Sequence, residues 1–287
     1  MLGVFGPIDR FHGLTGQQSQ VGHAIFGWGQ ATFAQMWPSL GPVPMVGFDT
    51  GSYGHEQITP LQIARGAGDG YLFALNSAAA QLGRPLFVRP LGEMNGHWAA
   101  YSAYNKDGSP RDAAHSTAAF RKAFARIYVV LHGGPRAQVN ARLRRLGLPG
   151  VAQDLPAIPY PRLSVVWNPQ GYGSPDVPGN RAQAYYPGDA YVDVVGDDLY
   201  DIRGKAEWDA AEALYRAHPR KPFAFPEWGL WGLDDPAFVA RMAAFVRSHP
   251  RVSMIAYFNA KPGSIFDLAS KPRSLGVYRR EIVPLGA

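Results

Sequence analysis

Two short segments of this 287-residue chain place a glutamate where bond-breaking chemistry would want one. The first reads Arg89-Pro90-Leu91-Gly92-Glu93-Met94-Asn95-Gly96-His97-Trp98, and the second Lys221-Pro222-Phe223-Ala224-Phe225-Pro226-Glu227-Trp228-Gly229. Each carboxylate follows an apolar run and is flanked by glycine and an aromatic residue. Cleavage of a glycosidic bond needs such a pair. One carboxyl must be protonated to assist the leaving oxygen, and the other ionised to attack or stabilise the sugar cation. A gap of ~5–5.5 Å between them goes with retention of configuration, and a wider gap with inversion. Structural salt bridges at strand ends would explain the same two glutamates, so residue type alone leaves both readings open.

Such a pair works only if a rigid frame holds it, and the sequence supplies one. Eight short apolar or β-branched runs recur, each followed by polar and glycine-rich sequence. They are Leu2–Phe5, 23–28, Val43–Phe48, 85–91, Leu163–Trp167, 192–199, 222–226 and Val252–Phe258. Near-continuous apolar runs indicate strands buried on both faces, as in a parallel sheet. Helical patterns lie between them. Residues 116–131 align Phe120, Phe124, Ile127, Tyr128 and Leu131 on one stripe, with Arg121, Lys122 and Arg126 on the other side. Asp69–Leu82, 206–218 and Pro236–Ser248 are similar, the last behind Asp234-Asp235 as N-cap.

Eight strands alternating with helices over ~250 residues is the size of a (β/α)8 TIM barrel. A single catalytic domain over 1–287 is therefore expected, with an irregular basic, Pro-rich insertion around 133–161. Within that insertion a short helix is expected at 136–146. A dinucleotide fold is disfavoured, because Gly66-Ala67-Gly68-Asp69-Gly70 has the wrong spacing and does not follow a strand. In a barrel the active site lies at the C-terminal ends of the strands, so Glu93 and Glu227 fall on the catalytic face, with the fourth and seventh strands nearly opposite.

Composition narrows the remaining classes. Apolar residues make up 46% and charged residues 17%, which excludes a disordered chain. The absence of cysteine excludes a disulfide scaffold and a thiolate metal site. The net charge of +6 comes with no nucleic-acid recognition motif, so no nucleic-acid partner is expected. No apolar run approaches the ~18 residues of a membrane span.

The motif residues also resemble a known family. Arg89-x-x-x-Glu93-Met94-Asn95-Gly96-x-Trp98 resembles the acid/base segment of glycoside hydrolase family 26, a family of retaining (β/α)8 glycosidases of clan A. Leu163-Ser164-Val165-Val166-Trp167-Asn168-Pro169 is similar to that family's fifth strand. The stretch from Tyr185 to Tyr200 is similar to its sixth, and Lys221-Pro222 through Glu227-x-Gly229 to its seventh. The resemblance implies Glu93 as acid/base and Glu227 as nucleophile, with Tyr200 hydrogen-bonded to Glu227 and Trp98 stacked on a sugar. Arg89 would set the charge state near Glu93. Asn95, Trp167, Asp198 and Trp228 are the further candidates for substrate binding: Asp197 or Asp198 closes the sixth strand toward the cleft, and Trp228 together with Trp231 offers a replacement wall. Family members act mostly on β-1,4-mannan, some on β-1,3-xylan or mixed-linkage β-glucan, without a cofactor or catalytic metal.

One departure stands out. The family usually has histidine immediately before the acid/base, where this chain has Gly92. A tryptophan often found near the end of the eighth strand is replaced by Tyr257-Phe258-Asn259. The implied protein is a monomeric enzyme on a β-linked polysaccharide, secreted with its leader absent from this chain; a cytoplasmic location is the alternative. Two other functions compete: a non-catalytic carbohydrate-binding protein on this scaffold, and a glycosidase for an anionic exopolysaccharide gripped by Arg136, Arg142, Arg144 and Arg145.

Overall fold

The computed structural model describes residues 1–30, 33–52 and 54–286. Eight strands close into a barrel: β1 (Leu2–Phe5), β2 (Val21–Phe26), β3 (Val43–Phe48), β4 (Leu86–Pro90), β5 (Leu163–Trp167), β6 (Val194–Ile202), β7 (Phe223–Trp231) and β8 (Val252–Phe258). Their order around the barrel is β1-β8-β7-β6-β5-β4-β3-β2. The ladders run parallel, β1 with β8 and β2, β7 with β8 and β6, and β4 with β5. This is the (β/α)8 TIM barrel. No helix among the described residues is long and apolar enough to cross a membrane.

The strand positions follow the apolar runs, with three shifts. β2 starts two residues earlier than the run at 23–28 and gives way to a turn around Gly29. β6 and β7 run on to Ile202 and Trp231, past the ends that the apolar runs set at 199 and 226. The cause at β7 is Pro226, which reads as a strand stop because it cannot donate to a ladder. The strand instead absorbs it in a bulge. Gly196 and Asp198 of β6 pair with Ala224 and Glu227, and Ile255 and Tyr257 of β8 pair with Phe225 and Trp228. Both neighbours thus spend two residues where β7 spends three.

By internal contacts the chain forms two compact units. One comprises Met1–Ala24, Pro38–Met45 and Val194–Ala287, the other Ile25–Trp37 and Val46–Asp193. In the first, the helix Pro236–Ser248 starts at Asp235, whose carboxylate accepts from the amides of Ala237 (2.8 Å) and Phe238 (3.3 Å). Asp234, the other expected cap, instead accepts from the amides of Arg273 and Ser274.

In the second unit, the helix Thr117–His132 is capped by Ser116. Arg126 corrects the expected polar face of that helix. It is fully buried, and its guanidinium makes two bonds to Asp69, at 2.8 and 2.6 Å, and one to the Pro149 carbonyl. A buried guanidinium persists only when its donors are matched in this way. The expected short helix is present at Arg136–Arg145, with Val139 and Leu143 turned inward. It follows His132, which is hydrogen-bonded to Asp193, and Asp193 in turn binds the backbone of β5. That is the end of this unit where Thr117–His132 finishes, opposite the C-terminal end of β4. The basic helix therefore sits away from Glu93, which removes the ground for the anionic-substrate reading.

Candidate active site

In the second unit, β4 is followed by two residues of unusual backbone. Leu91 and Glu93 have φ of 52° and 54°, a left-handed conformation that costs a non-glycine residue ~1–3 kcal/mol. Two bonds hold it. The Leu91 amide donates to the Phe48 carbonyl at 2.8 Å, and the Glu93 amide to the Asn168 carbonyl at 2.7 Å. The turn presents the Glu93 carboxylate to two side-chain donors. The Trp98 indole N–H reaches Oε2 at 2.8 Å, and the Gln170 amide reaches Oε1 at 2.8 Å.

Trp98 can do this because Gly96 has no side chain: a Cβ there would lie 2.4 Å from the indole. The ring is half exposed, so it is tethered to Glu93 by its nitrogen while offering carbon surface to solvent. That combination suits stacking on a sugar face.

Arg89 and Asn95 lie beneath this surface. Arg89 is buried, and its Nε donates to Asn168 Oδ1 at 3.1 Å. Its guanidinium fills the space beside Gly92, where a Cβ would stand 2.7 Å from Cζ. The Gly92 carbonyl accepts from the Tyr101 hydroxyl at 2.5 Å. Asn95 is fully buried. It donates to the carbonyls of Gln170 (2.8 Å) and Tyr172 (3.0 Å) and accepts from the Gln170 amide at 2.9 Å. Asn95 is thus corrected from a substrate contact to a clamp on the loop that carries Gln170. Gln170 was missed by sequence reasoning; its only signal was its place two residues beyond Asn168 in the fifth-strand motif.

Trp167 is also corrected. It is fully buried with Tyr186 packed edge-on at 4.8 Å, so it presents no open face for stacking. Beyond Trp98 the same unit holds a cavity of about 320 Å³ bounded by Gln30, Asp49, Ser52, His55, Glu56 and Ala100. Asp49 closes the turn after β3 by accepting from the Gly51 amide at 2.8 Å, and burial raises its pKa above the usual carboxylate range.

In the first unit, Glu227 is buried on β7, and the Tyr200 hydroxyl of β6 donates to its Oε2 at 2.7 Å. Asp198 pairs with Glu227 in strand register and is buried as well. The bulge decides which way Glu227 points. Phe225 packs on Phe245 of the helix Pro236–Ser248, and Trp228 packs on Phe238 of the same helix. Side chains alternate along a strand, so an unbulged β7 would turn Glu227 the same way as Phe225. The extra residue frees it to face Tyr200 instead, a use of bulges common beside active sites.

Trp228 therefore corrects the expected wall. It is fully buried, stacked at 5.7 Å on Tyr278 and edge-on to Tyr257, inside the packing between β7 and its helices. Trp231 takes the open position. It is 43% exposed, with Tyr200 at 5.7 Å and Phe266 at 4.9 Å edge-on beside it.

Solved structures place this architecture among known proteins. The chain is similar to the YdhT protein from Bacillus subtilis, with a TM-score of 0.62 and 19% identity over 98% of this chain and 85% of that one. It is similar to the Bacillus subtilis mannanase man26 at 0.62 and 20%, over 98% and 85% of the two chains. GH26A from a Muricauda species follows at 0.58 and 20%, over 97% and 88%. No family model and no curated protein sequence matches the chain. At this identity the likeness shows a shared fold, a barrel like that of the GH26 enzymes.

Proposed function

We propose that the chain is a retaining glycoside hydrolase acting on a β-linked polysaccharide, a β-1,4-mannan or a related β-glycan. One observation carries the reading. Each of two strand-end glutamates is held by side-chain donors beside a solvent-exposed tryptophan: Glu93 by Trp98 and Gln170, and Glu227 by Tyr200 next to Trp231. Solved proteins of similar fold include mannanases, which supports the same class of substrate.

In the proposed cycle Glu227 attacks the anomeric carbon as the glycosidic C–O bond breaks, and the Glu93 proton passes to the leaving oxygen. Glu93, now ionised, takes a proton from water, and the oxygen of that water displaces Glu227 from the sugar. The Tyr200 bond fixes one Glu227 oxygen and so orients the carboxylate for attack. Trp98 and Gln170 hold both oxygens of Glu93 in one plane, so its proton is delivered along a fixed direction. The polysaccharide is the only partner this chemistry requires.

The test is incubation with β-mannan, β-1,3-xylan and mixed-linkage β-glucan, with new reducing ends measured and the first-formed anomer read by NMR. Retention of configuration on one of these, lost in Glu93→Ala and Glu227→Ala variants that still fold, is the expected result. Near-normal turnover by either variant would sink the assignment.

A further inference from the structure

Outside the surfaces already described, the first unit holds a cavity of about 330 Å³ lined by Asp201, Lys205, Trp208, Asp235 and Arg241, within the ~300–1,000 Å³ range of small-ligand pockets. It belongs to the opposite face of β6 from the Glu227 site, because Tyr200 and Asp201 are consecutive residues of that strand. Asp201 is 1% exposed; its carboxyl lies beside the Asp235 carboxyl and the amides of Gly204 and Lys205, and neither of its oxygens completes a hydrogen bond of good geometry with them. Leaving a carboxylate so placed is costly, since buried polar groups in folded proteins are nearly always matched. Burial and the neighbouring Asp235 carboxyl push its pKa up to about 6. Asp235 spends one oxygen on capping its helix. Arg241 lies over the Trp208 ring at 4.8 Å, and neither it nor Lys205 forms an ion pair with the two carboxylates.

The charges in the wall decide what can bind. Two carboxylates oppose an anion, while Lys205, Arg241 and the N-terminus of the helix Pro236–Ser248 oppose a metal ion. A neutral molecule rich in hydroxyls suits both, because each hydroxyl can donate to a carboxylate and accept from a cation. We propose that this cavity is a second carbohydrate site, which takes a neutral sugar unit with Asp201 accepting from a vicinal diol and Arg241 and Lys205 donating at the rim. The proposal deepens the glycoside hydrolase reading, on which the choice of sugars as probes rests.

Asp201→Asn separates a ligand site from a structural one. The new carboxamide donates to Asp235 within the protein, which relieves the buried pair and occupies the acceptor that a sugar would use. The full chain carrying Glu93→Ala, so that nothing turns over, is titrated calorimetrically with mannobiose, xylobiose and cellobiose, with and without Asp201→Asn. Amide exchange at 203–208 is followed in parallel. Expected are protection of 203–208 by at least one disaccharide, a loss of affinity at that site of tenfold or more with Asp201→Asn, and a several-fold loss with Arg241→Gln. Asp201→Asn should at the same time raise Tm at pH 7.5.

Unchanged titrations and unchanged protection in the Asp201→Asn chain would overturn the proposal. So would a Tm increase from calcium chloride alone that requires Asp201, or binding of inorganic phosphate that requires Arg241. Absence of hydrolysis on every glycan, with Asp201-dependent binding intact, would count against the catalytic reading and leave this site standing.

Discussion

A Cβ on Gly92 would stand 2.7 Å from the guanidinium carbon of Arg89, so residue 92 and the Arg89 side chain compete for one volume. Arg89 also bonds Asn168, whose carbonyl holds the Glu93 amide. Gly92→Ala should therefore shift Arg89 and loosen the seat of Glu93. The expected cost is a ~10–100-fold fall in kcat/KM on the glycan identified by the panel, the scale set by ångström-level misplacement of a catalytic group. In an Arg89→Ala background the same change should cost little further, because residues that share one space are not additive. Additive losses would show that the two positions act separately.

Tyr200 offers a cleaner probe of the other glutamate. Tyr200→Phe removes only the hydroxyl that donates to Glu227 Oε2 at 2.7 Å and keeps the ring beside Trp231 and Phe266. A fall of ~10–10³-fold in kcat with KM within a few-fold is expected, as for loss of one aligned donor at a reacting group. A change in KM alone would make Tyr200 a substrate contact with no part in aligning Glu227.

The barrel was legible in the sequence because strands buried on both faces leave unbroken apolar runs, and the bond between Tyr200 and Glu227 was legible because motif spacing survives folding. Facing was not. Trp228 and Trp231 are equally plausible walls in the sequence. Only the extra residue at Pro226 settles that Trp228 packs against Phe238 and Tyr278 while Trp231 stays open. Asn95 was misread for a related reason. A polar residue in a motif looks like a ligand contact until its partners, here the backbone of Gln170 and Tyr172, are seen. Gln170 itself lies 77 residues from Glu93, and no local pattern marks such a bond.

The Arg126–Asp69 pair carries a stability prediction. Arg126→Met leaves Asp69 beside an emptied polar site and should cost about 3–5 kcal/mol in denaturant unfolding, the scale for breaking a buried pair from one side. The double change Arg126→Met with Asp69→Leu removes both charges and should recover part of that loss. Equal destabilisation of single and double variants would mean that the Arg126 bond to the Pro149 carbonyl, and not the ion pair, holds this helix.

Asp267 sets an acid limit. Burial acts to raise its pKa, yet two bonds from Arg10 and the amides of Gly263 and Ala269 bring it down to about 2. A carboxylate with a depressed folded-state pKa stabilises the protein above its unfolded value near 4, and that contribution is lost as pH falls through the folded value near 2. Arg10 is a third exposed, so solvent screening keeps the contribution to about 1–2 kcal/mol. Asp267→Asn should lower Tm by roughly 2–6 °C at pH 7. The gap between parent and variant should close between about pH 4 and pH 2, as the parent carboxylate takes up its proton. Thermal melts across that range check the sign, and a gap independent of pH would place the loss in packing instead of charge.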